Sequence, residues 1–223
     1  MDIILDGIPP VTRVLLLGGA VMIILATFSI LTPVEMMFNH TLIFKGKQYW
    51  RLLTTFFYFG PLNVSSLFEL HWVYVTSSTI ESQYFFHRAK DYSLMLLTGA
   101  VLLVVARCYK VVDIPFLSMM METVLVYLLS RLLPDQRIIV FFVQEIPMRL
   151  LPLIFCLMTL FSYGMHMFKI YFTSLMVGHI LWYLLEVFPR ISGIGLFQVE
   201  HWFERENRVN LNDVNEDDLV EER

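Results

Sequence analysis

Long apolar stretches separated by short charged segments dominate this chain of 223 residues. Hydrophobic residues make up 57% and charged residues 16%, whereas soluble domains average about half and about a quarter. The mean hydropathy of the chain is +0.65. A soluble fold of this size could not bury so many apolar stretches, so the sequence predicts an all-α, polytopic membrane protein.

Charged residues bound six candidate membrane spans, which we expect to form one helical bundle. The spans are Val14–Leu31, Leu62–Ile80, Asp91–Arg107, Ile114–Leu133, Leu150–Phe168 and Ile170–Leu185. An even number of spans puts both termini on one side of the membrane. If that side is cytosolic, it holds ten of the sixteen lysines and arginines, as the positive-inside rule favours.

The membrane domain is expected to cover residues 14–190, between a cytosolic segment of residues 1–13 and a cytosolic tail of residues 191–223. No cleavage site follows the first span, so this span is expected to remain as a signal anchor. From Glu200 onward the tail is polar and acidic, a composition that predicts a flexible segment. The chain has no basic patch, so nucleic acid is not an expected partner.

The two cysteines, Cys108 and Cys156, lie in or beside apolar stretches. Neither has a histidine or cysteine neighbour at metal-ligand spacing, so no metal, cofactor or disulfide framework is expected. The sequence Asn39-His40-Thr41 matches the glycosylation pattern and falls on the predicted non-cytosolic side.

The third span is unusually short. Its uncharged part, Tyr92–Ala106, has fifteen residues and would reach only about 22 Å as a helix. The sixth span is nearly as short. Because a bilayer has a hydrocarbon core of about 30 Å, the sequence predicts that the bundle distorts the lipid around it.

An aromatic segment, Gln48–Asn63, joins the first two spans and contains the unopposed cation Arg51 beside Trp50. A cation beside aromatic rings is favourable where hydrocarbon meets water, so both residues are expected at the membrane interface. One interpretation is a simple interfacial anchor. The alternative, which we favour, is a partly inserted loop that perturbs the lipid and borders a lateral opening.

Polar residues are unusually frequent in the second span. The candidates for a polar groove are Asn63, Ser65, Ser66, Glu69 and His71. Ionisable groups that face lipid are costly, so these side chains are expected to line a hydrated groove, unless the start of the span lies at the membrane surface. Glu122 in the fourth span is expected to form a structural hydrogen bond to a neighbouring helix.

Four motifs resemble the Derlin family, the pseudoprotease branch of the rhomboid superfamily. The most specific is Tyr49–Pro61, in which Trp50 and Arg51 precede Leu-Leu-Thr-Thr-Phe-Phe-Tyr-Phe-Gly-Pro. The others are Ile8–Thr12, Leu125–Tyr127 with Ser130 and Arg131, and Gly178–Ile180 with Glu186–Pro189. Together these motifs extend over residues 8–190.

This resemblance implies a six-helix rhomboid-like bundle in the endoplasmic reticulum membrane, with both termini in the cytosol. It also implies a role in moving misfolded proteins to the cytosol for degradation, with Trp50 and Arg51 in the first lumenal loop. The implied partners are misfolded protein substrates, a membrane ubiquitin ligase complex and a cytosolic AAA ATPase. The tail has no short Pro-rich ATPase-binding box, so recruitment of the ATPase is expected to be indirect; a homo-oligomer is left open.

Rhomboid proteases use a serine in a Gly-x-Ser-Gly frame and a histidine on the sixth span. Here the resemblance puts Thr123 at the serine position, four residues before Tyr127, and His179 at the histidine position. Met121, Val124 and Trp182 stand where the proteases have small residues, so the fourth and sixth helices are expected to be held apart.

We therefore expect a protein that is not an enzyme. Gly178 and His179 are interpreted as helix-packing residues, with His179 as an interhelical hydrogen-bond partner. Two alternatives remain open: an intramembrane protease that uses His179 with Ser118 or Thr123, and a passive substrate-binding scaffold.

Overall fold

The computed structural model describes residues 7–135, 137–140, 144–193 and 195–198. The acidic part of the predicted tail lies outside these residues. Within them, three helical segments are long and apolar enough to cross a membrane: Pro10–Thr27, Ala89–Cys108 and Met148–Ser192. The chain is thus a helical membrane protein.

Nine α-helices make up most of the described chain. They are α1 (Pro10–Thr27), α2 (Pro33–Met36), α3 (His40–Phe44), α4 (Trp50–Phe57), α5 (Val64–Thr79), α6 (Ala89–Cys108), α7 (Ser118–Leu132), α8 (Leu151–Trp182) and α9 (Phe188–Ser192). A π-helical turn, Ile80–Tyr84, extends α5; a 3₁₀ turn, Met148–Leu150, precedes α8; and a second π-helical turn, Tyr183–Val187, joins α8 to α9.

The fold is helical, as the sequence predicts, apart from a short β-hairpin that the sequence did not indicate. Strands β1 (Arg137–Val140) and β2 (Gln144–Pro147) pair in antiparallel register, with Ile138 opposite Ile146. The hairpin occupies the connection between α7 and α8. β-branched residues, which favour strands, form most of β1.

Helix α8 bends back on itself at Gly164, which corrects the predicted boundary between the fifth and sixth spans. Gly164 has φ 75° and ψ −173°, a conformation that glycine adopts without strain. Cys156 and Tyr171 pack in one cluster, although fifteen residues of straight helix would separate them by about 22 Å. The two halves of α8, residues 151–163 and 165–182, therefore lie side by side.

The prediction of a short third span is wrong. Helix α6 has 20 residues and a length of about 30 Å, enough to cross a hydrocarbon core. Charged residues lie inside its ends because they find partners there: Arg107 donates to Asp113 at 2.8 Å and to the carbonyl of Ile114 at 2.9 Å, and Asp91 pairs with Arg88 at 3.8 Å.

The short helices lie elsewhere in the bundle. Helix α7 has 15 residues and reaches about 22 Å, and the first half of α8, residues 151–163, reaches about 20 Å. The second half of α8 continues through the second π-helical turn into α9 as far as Ser192, so the sixth segment is longer than predicted.

The core lies along α6 and α7. Their largest fully buried side chains are Tyr92, Met95, Leu103, Met120, Leu125, Leu128 and Leu129. In contrast, α1 and the first half of α8 expose large apolar side chains such as Val14 (63% exposed) and Phe161 (83% exposed). These exposed surfaces suit contact with lipid rather than water.

A buried polar network ties α1 to α5 and α6. The carboxylate of Glu81 accepts hydrogen bonds from the backbone N–H groups of Val11 (2.9 Å) and Thr12 (2.7 Å), and from the hydroxyl of Thr12 (2.8 Å). Thr12 also contacts the Ser77 hydroxyl at 2.8 Å, which lies 2.7 Å from that of Tyr92. Glu81 thus supplies the acceptor that the first turn of α1 lacks locally.

Candidate functional site

A cavity of about 390 Å³ lies between α5, α7 and both halves of α8. Its lining residues are Glu69, Trp72, Met119, Glu122, Thr123, Val126, Phe155, Met158, Thr159, Ser162, Tyr163 and Tyr171. Met119, Met158 and Tyr163 on its rim are 41–72% exposed, so the cavity opens at the surface of the bundle.

Two carboxyl groups line this cavity, Glu69 from α5 and Glu122 from α7. The Ser65 hydroxyl lies 3.5 Å from Glu69, at the outer limit of a hydrogen bond. Among the hydrogen bonds of the described residues, none involves Glu122. Glu122 therefore faces the cavity and does not form the predicted interhelical hydrogen bond.

Tyr171 lines the same cavity and carries a buried hydroxyl without a partner. Its side chain is only 6% exposed, and its Oη has no hydrogen-bond partner. By contrast, the hydroxyls of Thr123 and Thr159 donate to carbonyls of their own helices at 2.9 and 2.7 Å. Among the lining residues, Glu69 and Glu122 therefore carry the two carboxyl groups, and Tyr171 carries a buried hydroxyl without a partner.

The other polar residues predicted for the groove have different positions. Asn63 and Ser66 cap the start of α5: the Ser66 N–H donates to Asn63 Oδ1 at 2.8 Å, and the Asn63 N–H donates to Ser66 Oγ at 3.1 Å. Ser65 is exposed and reaches toward Glu69. His71 is exposed, with its ring 6.2 Å from that of Tyr74. Of the five candidates, Glu69 lines the cavity.

Trp50 and Arg51 have opposite environments, although they are adjacent in sequence. Trp50 is 57% exposed, whereas Arg51 is 6% exposed. The Arg51 guanidinium donates to Gln48 Oε1 at 2.7 Å, and to the carbonyls of Val34 and Met37 at 2.8 and 3.2 Å. Arg51 therefore holds the α2 region against α4, and Trp50 is the exposed member of the pair.

His179 contacts α7 through Tyr127. The Tyr127 hydroxyl lies 2.7 Å from His179 Nδ1 and accepts from Arg131 Nε at 3.0 Å. A Cβ at Gly178 would lie 2.9 Å from Tyr127, so only glycine permits this approach. The expectation that these helices are held apart is wrong, because Tyr127 and His179 are in hydrogen-bond contact and Trp182 itself contacts Arg131 of α7.

A protein-family model, described as the Der1-like family, matches residues 8–199. The chain belongs to the Der1-like family. Derlin-1.2 of Zea mays is 25% identical to this Der1-like chain over 80% of the chain and 73% of the relative. The probable derlin-2 homolog of Dictyostelium discoideum is 24% identical over 96% and 84%, and Derlin-1 of Oryza sativa subsp. japonica is 23% identical over 88% and 81%.

The candidate protease residues of this Der1-like protein do not form a dyad in the structure. The Ser118 hydroxyl donates to the carbonyl of Tyr58 at 2.7 Å, and the Thr123 hydroxyl donates to that of Met119. His179 Nδ1 contacts Tyr127 instead. Both hydroxyls thus have other acceptors, and the histidine has another partner.

Sequence reasoning missed Tyr171 and Thr159 as residues of the Der1-like cavity. A tyrosine inside an apolar span was a usable signal for Tyr171, since a buried hydroxyl normally requires a partner. Thr159 gave no comparable signal, because threonine can satisfy its hydroxyl on its own helix. Only the fold brings both residues to the cavity that Glu69 and Glu122 line.

Proposed function

We propose that this Der1-like protein is a non-catalytic component of endoplasmic-reticulum-associated degradation that assists the passage of misfolded proteins to the cytosol. Family membership and the derlin relatives support this setting. The observation that carries the mechanism is the cavity, which offers carboxyl and hydroxyl groups at a side of the bundle otherwise covered by apolar side chains.

The proposed topology has six membrane-crossing segments arranged as a rhomboid-like bundle: α1, α5, α6, α7 and the two halves of α8. Both termini lie in the cytosol, and α2 to α4 form the first lumenal loop. One contact supports a topology in which successive segments cross the membrane in opposite directions. The hydrogen bond from Ser118 to the carbonyl of Tyr58 puts the start of α7 beside the loop that precedes α5, so both helices begin at the same end.

Local thinning of the bilayer is the first part of the proposed mechanism. The two short elements, α7 and the first half of α8, both border the cavity and are roughly 8–10 Å shorter than a hydrocarbon core of about 30 Å. Of the two, the first half of α8 exposes its apolar side chains, so lipid beside it must thin to match, whereas lipid beside α6 need not. The membrane is therefore thinnest where the cavity opens.

Hydrogen bonding inside the cavity is the second part of the proposed mechanism. A polypeptide that enters the membrane leaves polar groups without partners, each at a cost of several kcal/mol. Glu69 and Glu122 offer such partners in a cavity that opens at the bundle surface. The cavity thus lowers the free energy of a polar segment that crosses beside it.

The proposed partners are misfolded protein substrates, a membrane ubiquitin ligase complex and, indirectly, a cytosolic AAA ATPase that supplies the pulling force. The bilayer itself is a partner in this mechanism. Assembly with a second copy would put two such cavities in one complex.

Bilayer thickness around the purified full-length protein tests the first part. Electron cryomicroscopy of the protein in lipid nanodiscs should show a hydrocarbon core thinner by on the order of 5–10 Å beside α7 and the first half of α8 than beside α6. A uniform core of about 30 Å on all sides would contradict local thinning.

A matched pair of threonine variants tests the second part. Thr159→Leu puts a larger apolar side chain into the cavity, whereas Thr173→Leu makes the same change outside the cavity lining. In cells that depend on this protein, Thr159→Leu should slow degradation of a membrane substrate several-fold, and Thr173→Leu should leave it unchanged. Equal rates for both would favour a passive scaffold whose binding surface lies elsewhere.

A further inference from the structure

We propose that the cavity selects substrate membrane segments that carry a lysine or arginine, with Glu69 and Glu122 as the acceptors for the basic side chain. This inference rests on the proposed function and names the substrate class of the same cavity. It depends on the charges that line the cavity, on an unused buried hydroxyl, and on the depth at which these groups lie.

The charge of the cavity is one-sided. Glu69 and Glu122 contribute two carboxyl groups, and no lysine, arginine or histidine is among the lining residues. Two carboxyl groups that face one cavity resist being ionised together, because their negative charges would repel each other. A cation that enters between them stabilises the ionised carboxylates, so the lining favours a basic side chain over a neutral or acidic one.

Tyr171 is an independent sign that the cavity receives a ligand. Its hydroxyl is buried and has no partner, although its side chain reaches the cavity. Tyr127, at the same 6% exposure, contacts both His179 and Arg131 through its hydroxyl. A guanidinium or ammonium group held by the carboxyls has further N–H donors, and Tyr171 can accept one of them.

The depth of the carboxyl groups suits a basic side chain from a membrane segment. Glu69 lies five residues after the start of α5, and Glu122 four residues after the start of α7, so both are about 6–8 Å along their helices. A lysine or arginine near the middle of a membrane span extends its long side chain toward the nearer interface. Such a side chain can reach the carboxyls from a segment lying against the rim.

A peptide series tests this selection with the full-length protein in phosphatidylcholine vesicles. Each peptide is a leucine-rich membrane span with one central residue, which is Lys, Arg, Gln, Glu or Leu. Binding is measured by photo-crosslinking to a benzophenone attached at position 158 on the rim. The Lys and Arg peptides should crosslink with apparent affinities at least ten times those of the Gln and Leu peptides, and the Glu peptide should bind most weakly.

Matched variants assign the selection to the two carboxyls. Glu69→Gln/Glu122→Gln should reduce the preference for Lys over Leu to less than twofold. Asp113→Asn/Asp135→Asn removes the same number of carboxyls from positions that are 84% and 92% exposed, and it should keep the preference. If the cavity double variant fails to fold, the peptide series on the unmodified protein still decides the inference.

The outcomes separate this inference from the proposed function. Equal binding of all five peptides, together with normal substrate degradation in cells, would overturn the selection and leave the proposed function standing. A preference for Lys that survives in Glu69→Gln/Glu122→Gln would also overturn it. If cells with the unmodified protein degraded none of the membrane substrates, that result would instead count against the proposed function.

Discussion

Glu69 and Glu81 lie on one continuous helical stretch, α5 and its π-helical turn, yet they have opposite surroundings. Glu81 is 3% exposed and accepts three hydrogen bonds of 2.7–2.9 Å. Glu69 has one marginal contact, with Ser65 at 3.5 Å, and faces a cavity. The same residue type on the same element therefore serves the fold at one end and is available to a ligand at the other.

The difference follows from what each carboxyl group meets. Glu81 meets the first turn of α1, where Pro9 at the N-cap offers no side-chain acceptor and the N–H groups of Val11 and Thr12 need one. Glu69 points to the gap between α5 and α8, where no helix end needs an acceptor. A buried polar group with partners stabilises the fold, whereas one without partners costs free energy of desolvation and remains available to bind something else.

The largest effect should come from Glu81→Ala. Loss of three hydrogen bonds leaves the first turn of α1 without an acceptor, so the free energy of unfolding should fall by about 3 kcal/mol. The measurement is unfolding of the purified protein in mixed micelles against increasing denaturing detergent. Glu69→Ala is the control on the same element, and an equal loss for both variants would break the contrast between the two glutamates.

A smaller loss should follow Arg51→Met. This change removes the hydrogen bonds to Gln48 and to the carbonyls of Val34 and Met37. The free energy of unfolding should therefore fall by about 2 kcal/mol. Trp50→Ala should cost under about 0.5 kcal/mol, because its ring is 57% exposed. The same unfolding titration measures both variants, and a larger effect at Trp50 would show that Arg51 is not the structural member of the pair.

Two tyrosines of equal burial sharpen the contrast further. Tyr127→Phe removes the contacts of the hydroxyl with His179 and Arg131, and should lower the unfolding free energy by about 1 kcal/mol. Tyr171→Phe removes a hydroxyl that has no partner, and should leave stability unchanged or raise it slightly. A clear loss of stability for Tyr171→Phe would mean that its hydroxyl has a partner in the membrane.

The smallest effect concerns Glu35, an exposed acid that has partners. The backbone N–H and hydroxyl of Thr32 donate to its carboxylate at 2.7 and 2.8 Å, and these bonds lower the pKa of Glu35; Arg51 lowers it slightly more. Because the pKa of Glu35 is lower in the folded state, the hydrogen bonds to its carboxylate stabilise the fold at pH values above the unfolded-state pKa. This stabilisation is lost as the pH falls through the folded-state pKa.

The measurement for Glu35 is its carboxyl chemical shift by NMR as a function of pH. Thr32→Ala should raise the pKa of Glu35 toward its ordinary value, because the hydroxyl bond disappears. Arg51→Met should raise it by less. A pKa of Glu35 that is the same in the unmodified protein and in Thr32→Ala would contradict the assignment.

Apolar patterning located the helical segments well, but their ends depended on contacts that the sequence does not show. The sequence predicts that Asp91 and Arg107 limit the third span, yet both lie inside α6 because each has a partner. The predicted break between Phe168 and Ile170 followed the charge of Lys169. The chain turns at Gly164 instead, because only glycine adopts that backbone conformation without strain.

The sequence predicted only part of the candidate site. Glu69 attracted notice because an ionisable group in a membrane span needs a polar surrounding. Asn63 and Ser66 were predicted for the groove on the same ground, but in the structure they cap the start of α5. Their position at the start of an apolar stretch also indicates this capping role. A polar residue in a predicted span can therefore be a helix cap or a groove residue, and the two roles differ in whether adjacent backbone groups form hydrogen bonds with its side chain.

The sequence by itself predicts a helical membrane protein and contains the motifs that mark the Der1-like family, because hydrophobicity and short motifs are local properties of the chain. Which polar groups are satisfied and which remain free was decided by the tertiary structure. Glu81 binds the first turn of α1, and Arg51 binds carbonyls around α2. Glu69, Glu122 and Tyr171 instead line one cavity. A hydrogen bond depends on the neighbour in space, and the fold alone sets that neighbour.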